Sequence, residues 1–88
     1  MYIVLTYDVA QERVAKVCRY LRRYLHWVQN SVFEGELTEG QYHEMLAGLR
    51  KLIRSDYDSI YVFHWPAARL MQKVILGQAR GHTDWLIE

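Results

Sequence analysis

The chain opens Met1-Tyr2-Ile3-Val4-Leu5-Thr6-Tyr7-Asp8-Val9, an apolar run of strand-forming residues with a single carboxylate, Asp8, at its far end. Side chains alternate across a strand, so Tyr2, Val4, Thr6 and Asp8 share one face and Ile3, Leu5, Tyr7 and Val9 the other. Both faces are mostly apolar and both need a cover. In a chain of 88 residues, one of those covers is expected to come from a second subunit.

Such a length makes one domain, residues 1–88, with its core in about 1–66 and with 67–88 left for dimer or partner contact. The composition, 51% hydrophobic and 24% charged with one Pro, is that of a packed domain and excludes a disordered chain. Cys18 is alone, so no internal disulfide forms and a reducing compartment suits it. No leader pattern and no membrane-length apolar run is visible, so the expected location is cytoplasmic and no membrane partner is expected. A net charge of +1 gives no bulk argument for nucleic acid. Its distribution does: Arg13, Lys16, Arg19, Arg22 and Arg23 crowd one short stretch against the single acid Glu12.

Outward from the first strand, residues 10–12 connect to a helix predicted from about Glu12 to Leu25, with Val14, Val17, Cys18, Leu21 and Leu25 as its buried stripe. Arg13, Lys16, Tyr20 and Arg23 recur on another face. Such a face is either a solvated helix surface or a ridge that meets phosphates. His26 to Asn30 and Val32 to Leu37 read as two strands joined by a tight turn at Asn30 and Ser31. Thr38 and Gln41 have capping-box spacing, and Leu37 and Tyr42 sit where a hydrophobic staple places them, which starts a second helix running to about Arg54. Its stripe is Tyr42, Met45, Leu46, Leu49, Leu52 and Ile53. Ser59 to Trp65 form a β-branched and aromatic strand closed by Pro66.

This order of strand, helix, strand, strand, helix, strand predicts a ferredoxin-like α+β sandwich, an antiparallel sheet with two helices on one face. The bare face then fits a face-to-face homodimer. Arg69 to Leu76 reads as an additional C-terminal strand or a helical turn. After the polar loop from Gln78 to Asp84, Trp85, Leu86 and Ile87 are expected to add an edge strand to a partner chain.

Asp8 is the main candidate for chemistry. Carboxylate oxygens suit Mg²⁺ or Mn²⁺, which polarise phosphates and activate water. One carboxylate is too few, but two copies meeting around a two-fold axis would bring two Asp8 side chains to one ion. The competing reading is that Asp8 and Gln11 form a capping box for the first helix. Glu34 and Glu36 alternate on one strand face; paired carboxylates invite an acid-base reading, but edge or solvent charges that discourage aggregation are the favoured one. His26, His43, His64 and His82 lack zinc spacing, and Cys18 falls within an apolar stripe. No Gly-rich phosphate loop is present. Tyr7, Trp27 and Phe33 have the shape to stack on bases, but aromatics at strand spacing are more often core or interface.

With these residues in place, the chain resembles the CRISPR-associated protein two family along nearly its whole length. The resemblance lies in Tyr2-Ile-Val-Leu-Thr-Tyr-Asp-Val9, Arg13-Val14, Trp27-Val-Gln-Asn-Ser-Val-Phe-Glu-Gly-Glu-Leu-Thr38, Asp58-Ser-Ile-Tyr61 and Ile75-Leu-Gly77. It implies a ferredoxin-like homodimer in which Asp8 binds a divalent ion near the two-fold axis. It also implies metal-dependent cleavage of phosphodiesters in RNA or double-stranded DNA. Tyr7, Arg13 and Phe33 fall on positions the family associates with that site, whereas Trp27 stands where many members carry a basic residue. The resemblance further implies a bridging role that needs no catalysis, in which the dimer joins integrase dimers in a heterohexameric adaptation complex and supports the duplex DNA to be inserted. The bases of the first helix fit backbone binding of that kind, and a toxin-type ribonuclease on the same fold is a third reading.

Overall fold

The alternation of the opening strand is borne out in the structure, a computed structural model that describes residues 1–80. Strand β1 spans Tyr2–Asp8. Ile3, Leu5 and Tyr7 are buried, Val4 and Thr6 are half-buried, and Asp8 is exposed. The elements that follow are α1 (Gln11–Leu21), β2 (His26–Gln29), β3 (Val32–Glu36), α2 (Glu39–Leu52), β4 (Ser59–Trp65) and a 3₁₀ turn at Ala68–Leu70. The sheet is antiparallel in the order β2-β3-β1-β4, so β1 lies between β3 and β4 and its backbone is paired on both sides.

Both helices cover the Ile3, Leu5 and Tyr7 face. Val17, Leu21 and Leu25 come from α1 and the turn after it, Met45 and Leu49 from α2, and Phe33 from β3, all in one core cluster. Removing each such side chain from water contributes roughly 1.5–3 kcal/mol, which is what holds the two layers together. Tyr20 seals the seam between the helices by donating its hydroxyl to the Glu44 and Met45 carbonyls, each at 3.2 Å. Gly48 makes room for it, since a Cβ there would lie 1.9 Å from the Tyr20 hydroxyl.

Local signals set the boundaries. The Thr38 hydroxyl accepts from the Gln41 amide at 3.1 Å, and the Gln41 side chain accepts from the Thr38 amide at 2.9 Å, so the capping box forms as read. Leu37 and Tyr42 both join the core beside it. Asn30 turns the β2–β3 hairpin at φ 45°, a left-handed conformation that Asn tolerates, and its carbonyl accepts from the Trp27 indole at 3.0 Å.

Four expectations need correction. Helix α1 stops at Leu21 rather than Leu25, because Arg23 and Tyr24 bond back three residues to the Tyr20 and Leu21 carbonyls and tighten the chain into a turn. That turn still returns Leu25 to the core. Asp8 does not cap α1: the N-cap is Ala10, with no side-chain cap of its own. Glu34 is not an edge or solvent charge, since β3 is an inner strand and Glu34 is only 2% exposed, whereas Glu36 is exposed. Residues 71–80 form no ladder with the sheet of their own chain. They cross the open face instead, where Lys73 pairs with Glu34 and a groove forms against Val4, Val28 and Val32. An extra strand needs an edge to pair with, and this segment lies over a face. The expectation for Trp85, Leu86 and Ile87 lies outside the described residues.

Part of the open face remains uncovered. Tyr61 and Phe63, cross-strand neighbours of Thr6 and Val4, are 63% and 52% exposed. Val74 and Leu76 on the crossing segment are also exposed. Among the described residues, no helix is long and apolar enough to cross a membrane.

Candidate functional site

The end of β1 brings an exposed carboxylate, with no hydrogen-bond or ion-pair partner among the described residues, beside several polar groups. Asp8 is the last residue of the strand, opposite Ser59, the first residue of β4. An open depression beside it is lined by Thr6, Tyr7, Asp8, Val9, Val14, Asn30 and Ser31. The Thr6 and Ser31 hydroxyls stand 3.4 Å apart, and the Ser31 carbonyl accepts from the Tyr7 amide at 3.2 Å, which fixes the hairpin turn against β1.

The polar atoms here are carboxylate, hydroxyl and amide oxygens, the hard donors that Mg²⁺ or Mn²⁺ prefers. Among the described residues, no three His, Cys, Asp or Glu side chains come together as a metal group. The donor set therefore fits a divalent ion as half a site: Mg²⁺ commonly keeps several waters and takes one or two carboxylates. Asp8 supplies one.

The connection that carries Asp8 into α1 is held by a residue from far along the chain. Asp58, with its side chain fully buried, accepts four hydrogen bonds. Two come from Arg13, Nε at 2.6 Å and Nη2 at 2.9 Å, one from the Ala10 amide at 2.9 Å, and one from the Arg54 amide at 2.8 Å. The Arg13 guanidinium, followed by the two amides, holds the Asp58 carboxyl well below the usual carboxylate range against the opposing effect of burial. Ala10 begins α1 without a cap of its own, and Asp58 supplies it across 48 residues of sequence.

Arg13 is thereby committed. Its side chain is 15% exposed, forked onto Asp58 with Glu12 at 3.6 Å, so the geometry gives it a structural partner rather than a phosphate. Tyr7 borders the depression beside Asp8, but its hydroxyl and the Phe33 ring are turned to the core. Both lie in the core under the helices, Tyr7 8% exposed and Phe33 fully buried, with ring centroids 6.2 Å apart. The Tyr7 hydroxyl meets the Cys18 sulfur at 2.7 Å. Burial first, and then the contact with Cys18, pushes this phenol up to about 12. It stays protonated through the neutral range.

The basic residues divide in three. Lys16, Arg19 and Arg23 line an open depression with Tyr20 and Leu52 on the outer surface of the helix layer. Arg23 stacks over the Tyr20 and Tyr24 rings, 5.6 and 6.0 Å from their centroids. Arg22 is the C-cap of α1, with a charge that favours ionisation of Tyr7, and Arg13 is held by Asp58. The ridge is thus three residues wide, on the helix layer rather than the open face.

Asp58 is not among the residues that the sequence marks for chemistry. The available signal was its place directly before β4, within the Asp58-Ser-Ile-Tyr61 block. Its partners, 45 and 48 residues away, were not visible.

Three comparisons bear on what this arrangement belongs to. The family model for CRISPR associated protein Cas2 matches residues 1–73. The chain is 40% identical over 87 residues to the CRISPR-associated endoribonuclease Cas2 of Methanothermobacter thermautotrophicus, covering 99% of this chain and 96% of that protein. It is 51% identical over 63 residues to the protein of the same name from Thermococcus kodakarensis, covering 72% and 74%. Among solved structures, a crystal structure of Cas2 superposes with a TM-score of 0.81 at 38% identity, covering 91% of this chain and 90% of that one. Streptococcus pyogenes Cas2 gives 0.71 at 28%, covering 84% and 99%. With the β2-β3-β1-β4 sheet and the aspartate at the end of β1, these matches establish that the chain belongs to the CRISPR-associated Cas2 family.

Proposed function

We propose that the chain is a homodimeric, divalent-metal-dependent endonuclease subunit of CRISPR adaptation, in which two Asp8 carboxylates, one from each copy, share one Mg²⁺ or Mn²⁺ ion. The observation that carries this reading is an exposed carboxylate among hydroxyl and amide oxygens, on a sheet whose open face still carries Tyr61 and Phe63 exposed. An apolar face of this kind is what a second copy covers, and its cover brings a second Asp8 with it. When bound, the ion supplies polarisation of the phosphate and of the attacking water. The chain itself fixes the end of β1, leaves Asp8 open to a phosphodiester, and lines the approach with the Thr6 and Ser31 hydroxyls. Relatives named endoribonucleases support RNA as the strand cut, with duplex DNA as the alternative substrate.

A second reading has its own observation. Lys16, Arg19 and Arg23 form an exposed basic ridge that takes no part in the Asp8 depression, as a subunit that carries duplex DNA for an integrase partner would require. One experiment addresses both. Asp8→Ala lowers metal-dependent cleavage of single-stranded RNA and duplex DNA by roughly two orders of magnitude or more with the fold intact. Undiminished cleavage overturns the metal reading. Reversing Lys16, Arg19 and Arg23 to Glu weakens duplex binding and flattens the salt dependence of log K by about 2 to 3 units, and an unchanged slope removes the ridge from the interface. If Asp8→Ala stops cleavage but leaves spacer acquisition intact, the bridging role is the physiological one.

A further inference from the structure

Most of the side chains that the family resemblance associates with the site, Tyr7, Arg13 and Phe33, are engaged away from Asp8, which leaves open what holds the Asp8 carboxylate in place. Its own strand does so on one side only. Asp8 is the last residue of β1, and the chain leaves the sheet through Val9 into Ala10, the N-cap of α1. A carboxylate at a strand end, two residues from an uncapped helix start, would swing with that connection unless something tied it down.

Asp58 ties it. One of its oxygens accepts from the Ala10 amide and from Arg13 Nη2, and the other from Arg13 Nε and the Arg54 amide. The helix start is closed locally as well, with the Arg13 amide bonded to the Ala10 carbonyl at 2.8 Å. The residue after Asp58 is Ser59, which pairs with Asp8 in the ladder. One buried carboxylate therefore joins the exit of β1, the first turn of α1, the segment after α2 and the start of β4, and Asp8 sits inside that frame.

We propose that Asp58 is the positioning residue for Asp8: through Ala10 and Arg13 it fixes the β1–α1 connection and so the direction in which the Asp8 carboxylate is offered. This rests on the reading of Asp8 as a metal ligand. Asp58 itself touches no ion and no substrate, because its side chain has no exposed surface and its oxygens are occupied. Its effect belongs to the geometry of the ligand, where support groups typically change metal affinity by about ten- to a hundredfold.

The test is a Mn²⁺ titration of the full chain followed by electron paramagnetic resonance, with circular dichroism and sedimentation reporting fold and assembly. Asp58→Asn keeps the shape and one carbonyl acceptor but loses the charge and the fork. It is expected to weaken Mn²⁺ binding about tenfold while the chain stays folded. Arg13→Lys, which keeps charge but supplies no fork, produces a smaller loss in the same direction and stands in if Asp58→Asn does not fold. Leu49→Val lowers stability from inside the core while sparing the Asp58 hydrogen bonds, and it leaves Mn²⁺ affinity within about twofold. Wild-type Mn²⁺ affinity in a folded Asp58→Asn chain overturns the proposal, as does an equal loss in Leu49→Val, which would make the effect one of general stability. Asp8→Ala separates the two levels. If it abolishes Mn²⁺ binding while Asp58→Asn does not weaken it, only the positioning role falls, whereas Mn²⁺ binding unchanged by Asp8→Ala takes the metal site down and the positioning role with it.

Discussion

On the helix-covered side of the sheet, Ile3, Leu5 and Phe33 have no exposed surface, and Tyr7 keeps its hydroxyl on Cys18. On the other side, Tyr61 and Phe63 of β4 are more than half exposed and Asp8 of β1 lies in the open. Among the described residues, one face is completed by the two helices, and the other is covered only in part, by residues 71–80. The two aspartates at the same end of the sheet show the same division. Asp58 is buried and fully bonded, and Asp8 is exposed. Because a remote carboxylate holds the helix start, the one at the strand end need not serve as a cap. A residue is free for chemistry where another has taken over its structural work.

The sharpest way to break this comparison is to truncate one aromatic on each face. Phe33→Ala opens a cavity under both helices and costs about 3–5 kcal/mol in urea denaturation. Phe63→Ala, measured where the chain is monomeric, changes stability by no more than about 0.5 kcal/mol, yet shifts sedimentation equilibrium toward the monomer. Equal losses from the two substitutions would mean that the open face is closed within the chain.

The parts of the fold that sequence revealed are those set by neighbours in the chain. Thr38 and Gln41 form their capping box three residues apart, Asn30 turns its own hairpin, and β4 ends at Trp65 because Pro66 follows. Alternation also placed Tyr7 with Ile3 and Leu5, and so already pointed its side chain away from Asp8. The residue types that the family associates with the site drew Tyr7 and Phe33 toward it, but the pleat of the strand takes them to the core. Asp58 was illegible for the opposite reason. Apart from the nearby Arg54 amide, its partners are Ala10 and Arg13, and no local pattern links positions just over half the chain apart. Glu34 escapes a local pattern because strand order, which decides whether a strand is an edge, is a property of the whole sheet.

A smaller effect tests how completely the helix layer is sealed at its outer seam. Gly48→Ala improves helix propensity by about 1 kcal/mol on an open surface. Here the new methyl meets the Tyr20 ring, and displacing that ring breaks its hydrogen bonds to the Glu44 and Met45 carbonyls. A net loss of about 1–3 kcal/mol is expected in thermal or urea unfolding. In a Tyr20→Ala background the same change becomes neutral or favourable. A stabilising Gly48→Ala in the otherwise native chain would show the seam to be loose.

The smallest effect bears most directly on which face does chemistry. Tyr7→Phe removes only the hydroxyl on Cys18, a single neutral hydrogen bond worth about 1 kcal/mol, and leaves the ring against Phe33. Cleavage by the Tyr7→Phe chain should match the native rate, because the lost group faces the core and Asp8 faces away from it. Alkaline unfolding supplies an independent check. The folded phenol titrates at about 12 against about 10 in an unfolded chain, so the unfolded state gives up its proton first and the native chain loses stability as pH rises through that interval. Tyr7→Phe has no proton to lose there, and its stability should fall less steeply over the same range. A rate that drops with the hydroxyl while the alkaline limb stays unchanged would place Tyr7 on the chemical side of the sheet and erase the distinction between its two faces.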